Sequence, residues 1–317
     1  MTAQVNPMYI FNSIEDHIDI EMSPSQILKQ QVCFRALGYY RARIKPLATP
    51  QNLVFGSALH WVIEGYIKGF ISEEDMSGHF KEKFHELSVG KLISMAKSKT
   101  REVTEVIGQQ LAASFPAYFK NLGIKPLIIE GAFKVQIAPN TYVKMVIDFV
   151  GIAEKQIICP DSHAVIAEIG DTIILDWKSA AIKEGRLFAR IGIQLTFYWA
   201  AVLLACEQLG IRPPKLCGFA SGIKPNMTSV NSKSLDRATW APIEWTRRTQ
   251  SDIDEAFDYA RYVAARLRRG EFFRESGAAY NSPCDSQSGR CDYAGLCLEG
   301  SSRGFKIPDR LQLMDLI

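Results

Sequence analysis

The strongest constraint in this sequence is the short apolar run Ile173–Leu175, which ends in Asp176, Trp177 and Lys178. Such a run predicts a buried central strand. Because side chains of a strand alternate between its two faces, Asp176 and Lys178 should point the same way and Trp177 the opposite way. A carboxylate and an ammonium group are costly to bury unless they are paired or used. On this pattern alone, a salt-bridged strand end is the simplest interpretation.

The composition is that of a globular protein. The 317 residues, of which 47% are hydrophobic, suffice for one large core or two small ones. The net charge of +3 permits a polyanionic partner without requiring one. We see no signal-peptide pattern, and the longest apolar stretch, Leu195–Cys206, is too short to span a bilayer. We therefore expect a cytoplasmic protein without membrane contact, whose seven cysteines stay reduced, so that clustered cysteines suggest metal binding.

Residues 55–64 predict a helix that presents polar groups on one face. Gly56, His60 and Glu64 are spaced four apart and therefore stack on that face. Glycine allows close approach, and His60 and Glu64 could address one site. A solvated His–Glu pair is the alternative interpretation.

One predicted strand carries an acid that needs a partner. Asp148 is the one acid within the apolar strand 142–150. A lone carboxylate in such a run requires a partner or a metal ion. Two aspartates from adjacent strands, Asp148 and Asp176, together with a histidine would form a mixed oxygen and nitrogen site suited to Mg²⁺ or Mn²⁺.

A predicted helix over 193–209 carries Gln194 and Tyr198, which share a face. Core packing is the alternative interpretation of this helix. A lysine near a metal-bound acid, as Lys178 would be, can orient a water molecule or accept its proton. Together these residues indicate phosphodiester hydrolysis.

Four cysteines lie near the two ends of the chain. Cys33 stands alone near the start, and the tail contains Cys284-x6-Cys291-x5-Cys297 in a polar, glycine-containing segment. That tail has little capacity to fold except around a ligand. Four thiolates suit either an iron–sulfur cluster or tetrahedral zinc.

The order of these motifs resembles that of the PD-(D/E)XK nucleases of the RecB-like branch. Within that branch the chain is similar to the iron–sulfur nucleases, including CRISPR-associated and phage-encoded single-strand exonucleases. The resemblance covers residues 23–299 and rests on the following motifs: Ser23-x-Ser25, Cys33, Gly56-x3-His60, Asp148, Asp176-x-Lys178, Gln194-x3-Tyr198 and the three tail cysteines. It implies an α/β fold with a restriction-endonuclease-like core, in which a central mixed sheet is flanked by helices.

The resemblance also implies roles for individual residues. The implied Mg²⁺ or Mn²⁺ ligands are His60, Asp148, Asp176 and the carbonyl of Trp177. Lys178 would activate or position the water, and Gln194 and Tyr198 would organise the site or the bound strand. Glu64 and Glu130 are supporting candidates. The implied ligands of a [4Fe–4S] cluster are Cys33, Cys284, Cys291 and Cys297, with structural Zn²⁺ as the alternative.

We thus expect one nuclease domain over 1–317. Within it we expect a cluster-binding subdomain from 23–45 and 280–300, a helical lobe over 72–122 and a catalytic core over 127–222. The expected activity is metal-dependent hydrolysis of DNA, as an exonuclease on single strands or DNA ends, in DNA repair, recombination or phage biology. A structure-specific endonuclease and a catalytically inactive DNA-binding or assembly module are the alternatives.

Overall fold

The computed structural model describes residues 17–94, 100–159, 161–181, 183, 185–227, 229–274, 284–286 and 289–308. The helices are α1 (Pro24–Val32), α2 (Phe34–Arg41), α3 (Gln51–Ile67), α4 (Met76–Ser88), α5 (Arg101–Leu122), α6 (Arg186–Ile191), α7 (Ile193–Leu209), α8 (Gln250–Arg268) and α9 (Ala294–Glu299). The longer strands are β5 (Ile124–Ala138), β6 (Thr141–Ala153), β9 (Thr172–Ala180) and β10 (Pro214–Ile223). The short strands are β1 (Ile20–Met22), β2 (Lys45–Pro46), β3 (Ala48–Pro50), β4 (Leu92–Ser94), β7 (Ile157–Ile158), β8 (Val165–Ala167), β11 (Thr239–Trp240), β12 (Asp285–Ser286), β13 (Gly289–Arg290) and β14 (Phe305–Lys306).

The described residues divide into two compact units. Unit 1 draws on Met1–Ala48, Lys134–Met145 and Gln250–Ile317, and unit 2 on Thr49–Phe133 and Val146–Thr249. The single nuclease domain over 1–317, with its subdivisions, stays a prediction. No helix in the described part of the chain is long and apolar enough to cross a membrane.

Unit 2 is built on a mixed sheet. The second half of β6 runs antiparallel to β9, with Phe149 opposite Leu175. β9 runs parallel to β10, with Leu175 opposite Gly218, and β10 is antiparallel to β11. Helices α3 and α7 both contact β9, and α5 contacts β11. The predicted α/β fold, a central mixed sheet flanked by helices, is confirmed.

An aromatic cluster forms the core of unit 2. The ring of Trp177 meets Phe115 edge-on at a centroid distance of 5.3 Å and Phe149 at 5.5 Å. Trp177 is 2% exposed, so this face of β9 is fully occupied by packing. As strand alternation predicts, Asp176 and Lys178 leave β9 on the other face, where Lys178 Nζ lies 2.6 Å from Asp176 Oδ2.

Unit 1 contains the amino-terminal helices, and its residues explain how they begin. Ser23 caps α1 by accepting the N–H of Gln26, whose side chain accepts the N–H of Ser23 in return, and Pro24 occupies the first turn. Cys33 ends α1 and precedes α2. Strand β1 pairs in parallel with the first residues of β6, and β2 pairs with β14.

Candidate active site

The pairing of β6 with β9 brings the two strand aspartates to neighbouring positions. Phe149 lies opposite Leu175, and the next residues along the antiparallel pair are Asp148, which precedes Phe149, and Asp176, which follows Leu175. Asp148 is 7% exposed and Asp176 is 1% exposed. The Oδ2 atom of Asp148 accepts the N–H of Trp177 at 2.8 Å, so the two strands fix the orientation of this carboxylate.

Asp176 belongs to a network of side chains from β9 and α7. Gln194 Nε2 donates to Asp176 Oδ1 at 2.7 Å and to the Tyr198 hydroxyl at 2.8 Å. Lys178 Nζ donates to Gln194 Oε1 at 3.1 Å. The predicted one-turn spacing of Gln194 and Tyr198 thus places both side chains beside the strand acid. The network holds the amine of Lys178 next to a buried carboxylate.

His60 of α3 and Glu130 of β5 complete the cluster. His60 Nδ1 lies 3.8 Å from Glu130 Oε1 and 3.6 Å from Asp148 Oδ2. One ligand atom from each of these three residues lies within 4.8 Å of the other two, so that they could hold a metal ion. His60 Nε2 also lies 2.8 Å from the Trp177 carbonyl oxygen. Within the described residues, Asp176 lies outside this three-residue group.

The backbone at Glu130 has a conformation that strands rarely contain. Its φ of 54° lies in the left-handed region, which costs a non-glycine residue about 1–2 kcal/mol. The next residue, Gly131, has no room for a side chain, because a Cβ atom there would overlap Ile128. Strain of this kind persists only where the surrounding structure enforces it. Here it accompanies a carboxylate that joins the metal-binding group.

The clustering of acids changes their protonation. Burial, followed by the charge of Asp176, raises the pKa of Asp148 to about 7. Burial opposes protonation of His60, but the carboxylates of Glu130 and Asp148 outweigh it and raise the pKa of His60. Burial, with the charge of Asp176, also raises the pKa of Tyr198. The site therefore concentrates negative charge that a cation would neutralise.

The donor set fits a hard divalent cation. Asp176 Oδ2 is fully buried, and among the described residues it has an ion pair with Lys178 Nζ at 2.6 Å but no hydrogen bond. Mg²⁺ in octahedral geometry, at about 2.1 Å from each ligand, holds adjacent ligand atoms about 3 Å apart. The distances of 3.6 and 3.8 Å from His60 Nδ1 are close to that spacing. Carboxylates with one imidazole are ligands typical of Mg²⁺ or Mn²⁺.

Glu64 lies apart from the metal-binding group. Its carboxylate pairs with Lys68 Nζ at 2.5 Å, one turn further along α3. Glu64 and His60 nevertheless line the same cleft, together with Gly56. The shared helix face predicted for these three residues is therefore found in the structure.

One buried residue that supports the site was missed by the sequence analysis. The guanidinium of Arg248, 6% exposed, donates to the carbonyls of Ala189 and Gly192 and to the Thr196 hydroxyl. These contacts fix the junction of α6 with α7, two residues before Gln194. Nothing in the local sequence distinguishes Arg248 from a surface arginine, because its partners are distant in the chain.

The four predicted cluster ligands all lie in unit 1. Arg35 Nη1 lies 3.9 Å from Cys297 Sγ, and the Cys291 N–H donates to the Cys284 carbonyl at 3.0 Å. Burial raises the pKa of the Cys291 thiol, and the charges of Cys33 and Cys284 add to this effect. Cys33 belongs to a hydrophobic cluster of unit 1 against which Cys291 and Cys297 pack. Part of the predicted cluster-binding segment 280–300, namely 280–283 and 287–288, lies outside the described residues.

The sequence matches the family model of the PD-(D/E)XK nuclease superfamily over residues 21–298. The chain therefore belongs to this superfamily, and the predicted superfamily is confirmed. A comparison with curated proteins gives no significant match. Among solved structures, the crystal structure of a candidate exonuclease from Eubacterium rectale is similar at a TM-score of 0.46 and 14% identity, covering 93% of this chain and 92% of that chain.

Proposed function

We propose that this protein is a divalent-metal-dependent deoxyribonuclease that acts on single-stranded DNA or DNA ends. The observation that carries the proposal is the position of a potential metal-binding group, His60, Glu130 and Asp148, beside the buried pair of Asp176 and Lys178. Because the chain belongs to a superfamily of nucleases, we infer that its substrate is a nucleic acid.

Each residue has a role that follows from its contacts. His60, Glu130, Asp148 and Asp176 would hold Mg²⁺ or Mn²⁺, and the Trp177 carbonyl is a further candidate ligand. When bound, such an ion polarises a phosphoryl oxygen and lowers the pKa of a water molecule. Lys178 Nζ, held by Asp176 and Gln194, would position that water or take its proton. Gln194, which also bonds the Tyr198 hydroxyl, would hold the Asp176 carboxylate and the Lys178 amine in fixed positions.

The intact network favours an active enzyme over a binding module that has lost catalysis. Asp148 and Asp176 are both nearly inaccessible, and burying two adjacent carboxylates is unfavourable even though Lys178 pairs with one of them. A protein that no longer cleaved DNA would gain stability by replacing them. We therefore infer that the site is kept for metal binding and hydrolysis.

We further propose that the protein belongs to the RecB-like branch and that Cys33, Cys284, Cys291 and Cys297 bind a [4Fe–4S] cluster. The resemblance to the iron–sulfur nucleases carries this assignment, and structural zinc is the alternative because four thiolates suit either metal. Cys33 belongs to a hydrophobic cluster of unit 1 against which Cys291 and Cys297 pack, and this supports a shared site. The metal group would have a structural role that links 23–45 to 280–300.

The decisive experiment uses end-labelled DNA. Single- and double-stranded substrates, linear and circular, are incubated with the protein and Mg²⁺, Mn²⁺ or chelator. We expect degradation of linear single strands with either metal ion and none with chelator. Cleavage of circles would instead indicate an endonuclease. Asp176→Ala and Lys178→Ala should abolish hydrolysis, and unchanged activity in both variants would refute the assigned site.

A further inference from the structure

A cleft of about 490 Å³ opens beside the metal-binding group. It is lined by Asn52, Leu53, Gly56, Ser57, His60, Trp61, Glu64 and Glu130. All but the last belong to α3, at the spacing of one helix face. His60 and Glu130 belong both to the cleft wall and to the metal-binding group, so anything bound in the cleft would lie directly next to the ion.

Gly56 leaves open space in the wall of this cleft. An ideal Cβ atom built at Gly56 meets no atom within 4 Å, so the space above the helix is open. Glycine within a helix costs about 1 kcal/mol relative to alanine. The residue is therefore unfavourable for the helix, and what it provides is room beside His60.

Trp61 supplies a flat apolar wall that is held in place. The indole is 39% exposed. Lys83 Nζ lies 4.9 Å from its ring centroid, and His79 meets it edge-on at 6.1 Å. Leu53, 62% exposed, adds a second apolar surface to the cleft. A ring fixed in this way loses little conformational entropy when another flat ring stacks on it.

The cleft combines neutral polar groups with carboxylates that already have partners. Asn52 offers an amide, whose oxygen accepts from Lys224 Nζ at 3.2 Å, and Ser57 offers a hydroxyl. Glu64 is paired with Lys68, and Glu130 belongs to the metal-binding group. A nucleobase combines an aromatic face with neutral hydrogen-bonding edges. Stacking on an aromatic side chain contributes about 1–3 kcal/mol per base.

We propose that this cleft binds the unpaired base and sugar of the nucleotide adjacent to the scissile phosphate, with Trp61 as its stacking platform. The inference rests on the proposed nuclease function and specifies its substrate. A paired base cannot enter such a cleft without leaving its helix, which costs a few kcal/mol. The cleft therefore selects single strands and frayed ends over intact duplex DNA.

The first test fills the cleft without disturbing the fold. Gly56→Leu places a side chain in open space and improves helix propensity, and Gly78→Leu, at another open helical glycine outside the cleft, is the matched control. Rates are measured with Mn²⁺ on a single-stranded oligonucleotide and on an abasic oligonucleotide of the same length, which brings no base to the cleft. We expect the Gly56→Leu loss in kcat/KM on the ordinary oligonucleotide to exceed its loss on the abasic one about tenfold or more. Gly78→Leu should match the wild type on both.

The second test measures binding without catalysis. Trp177, Trp199 and Trp240 are buried and Trp245 is partly buried, so Trp61 is the tryptophan most open to a ligand among the described residues. A single-stranded oligothymidylate added in chelator should quench tryptophan fluorescence. Trp61→Phe should remove most of this quenching, whereas Phe70→Ala, which removes an aromatic side chain that is 82% exposed outside the cleft, should retain it.

The outcomes separate this inference from the proposed function. Equal losses on both substrates in Gly56→Leu, or quenching that Trp61→Phe leaves undiminished, would overturn the nucleotide cleft. Undiminished oligonucleotide cleavage by Gly56→Leu would overturn it as well, while leaving the nuclease assignment intact. If the wild type hydrolyses neither substrate with Mn²⁺, the nuclease function itself fails.

Discussion

The buried carboxylate of Asp148 should destabilise the metal-free protein above neutral pH. Its pKa of about 7 exceeds the ordinary value of 3.8. At 1.36 kcal/mol per pH unit, this difference corresponds to about 4 kcal/mol. Because the pKa is higher in the folded state, the stability linked to this group is fully present below pH 3.8 and is lost as the pH rises through about 7.

The substitution Asp148→Asn removes that charge and keeps the size of the side chain. An amide oxygen can still accept the Trp177 N–H that now lies 2.8 Å from Asp148. In chelator at pH 8, we expect the variant to be about 2–4 kcal/mol more stable than the wild type, and no more stable at pH 4. Urea denaturation across this pH range measures the difference. Saturating Mn²⁺ should stabilise the wild type and not the variant.

Asp171→Asn provides the control for this experiment. Asp171 is also buried, but it accepts the Glu168 N–H at 2.8 Å and faces Arg212 at 3.3 Å. Loss of a carboxylate that has a cationic partner should lower stability at pH 8. The reasoning would be refuted if Asp148→Asn were less stable than the wild type at pH 8, or if its gain were the same at pH 4.

The remaining predictions concern other parts of the chain. Protein purified without air should absorb broadly in the visible region, and Cys291→Ser should lose this absorbance; a colourless, zinc-containing preparation would contradict the cluster. Gly108→Ala should destabilise the protein by about 1–3 kcal/mol in urea denaturation, because its Cβ would overlap the Phe80 ring, and a neutral effect would contradict this packing. Gln194→Ala should lower kcat more than tenfold with little change in KM, since it removes an amide that touches Asp176 and Lys178; a loss confined to KM would indicate a strand-binding role instead.

Much of the architecture follows from local sequence patterns. The apolar run before Asp176 specifies a central strand, and alternation sends Trp177 into the core and Lys178 toward the acid. The four-residue spacing of Gln194 and Tyr198 places both on one helix face, where Gln194 bonds the tyrosine hydroxyl. These features depend only on residues that are close together in the chain. They can therefore be predicted from a single sequence.

The position of Glu130 in the site depends on longer-range structure. From the sequence Glu130 is only a supporting candidate, yet its carboxylate belongs to the group with His60 and Asp148. Its orientation depends on a left-handed backbone conformation, for which the following Gly131 is the one local signal. Its distance from His60 depends on how α3 packs, and periodicity does not specify that packing. Asp176, predicted as a ligand of equal rank, lies beside this group and contacts Lys178 and Gln194.

The most direct test of the account is a metal titration. Metal-stripped wild type and Asp148→Asn are each mixed with an end-labelled single-stranded oligonucleotide, and cleavage is followed as Mn²⁺ is added. The account predicts no cleavage by the wild type without metal, saturable onset as Mn²⁺ rises, and none by the variant at any concentration. Cleavage by the wild type in chelator, or an unaltered titration by Asp148→Asn, would contradict it.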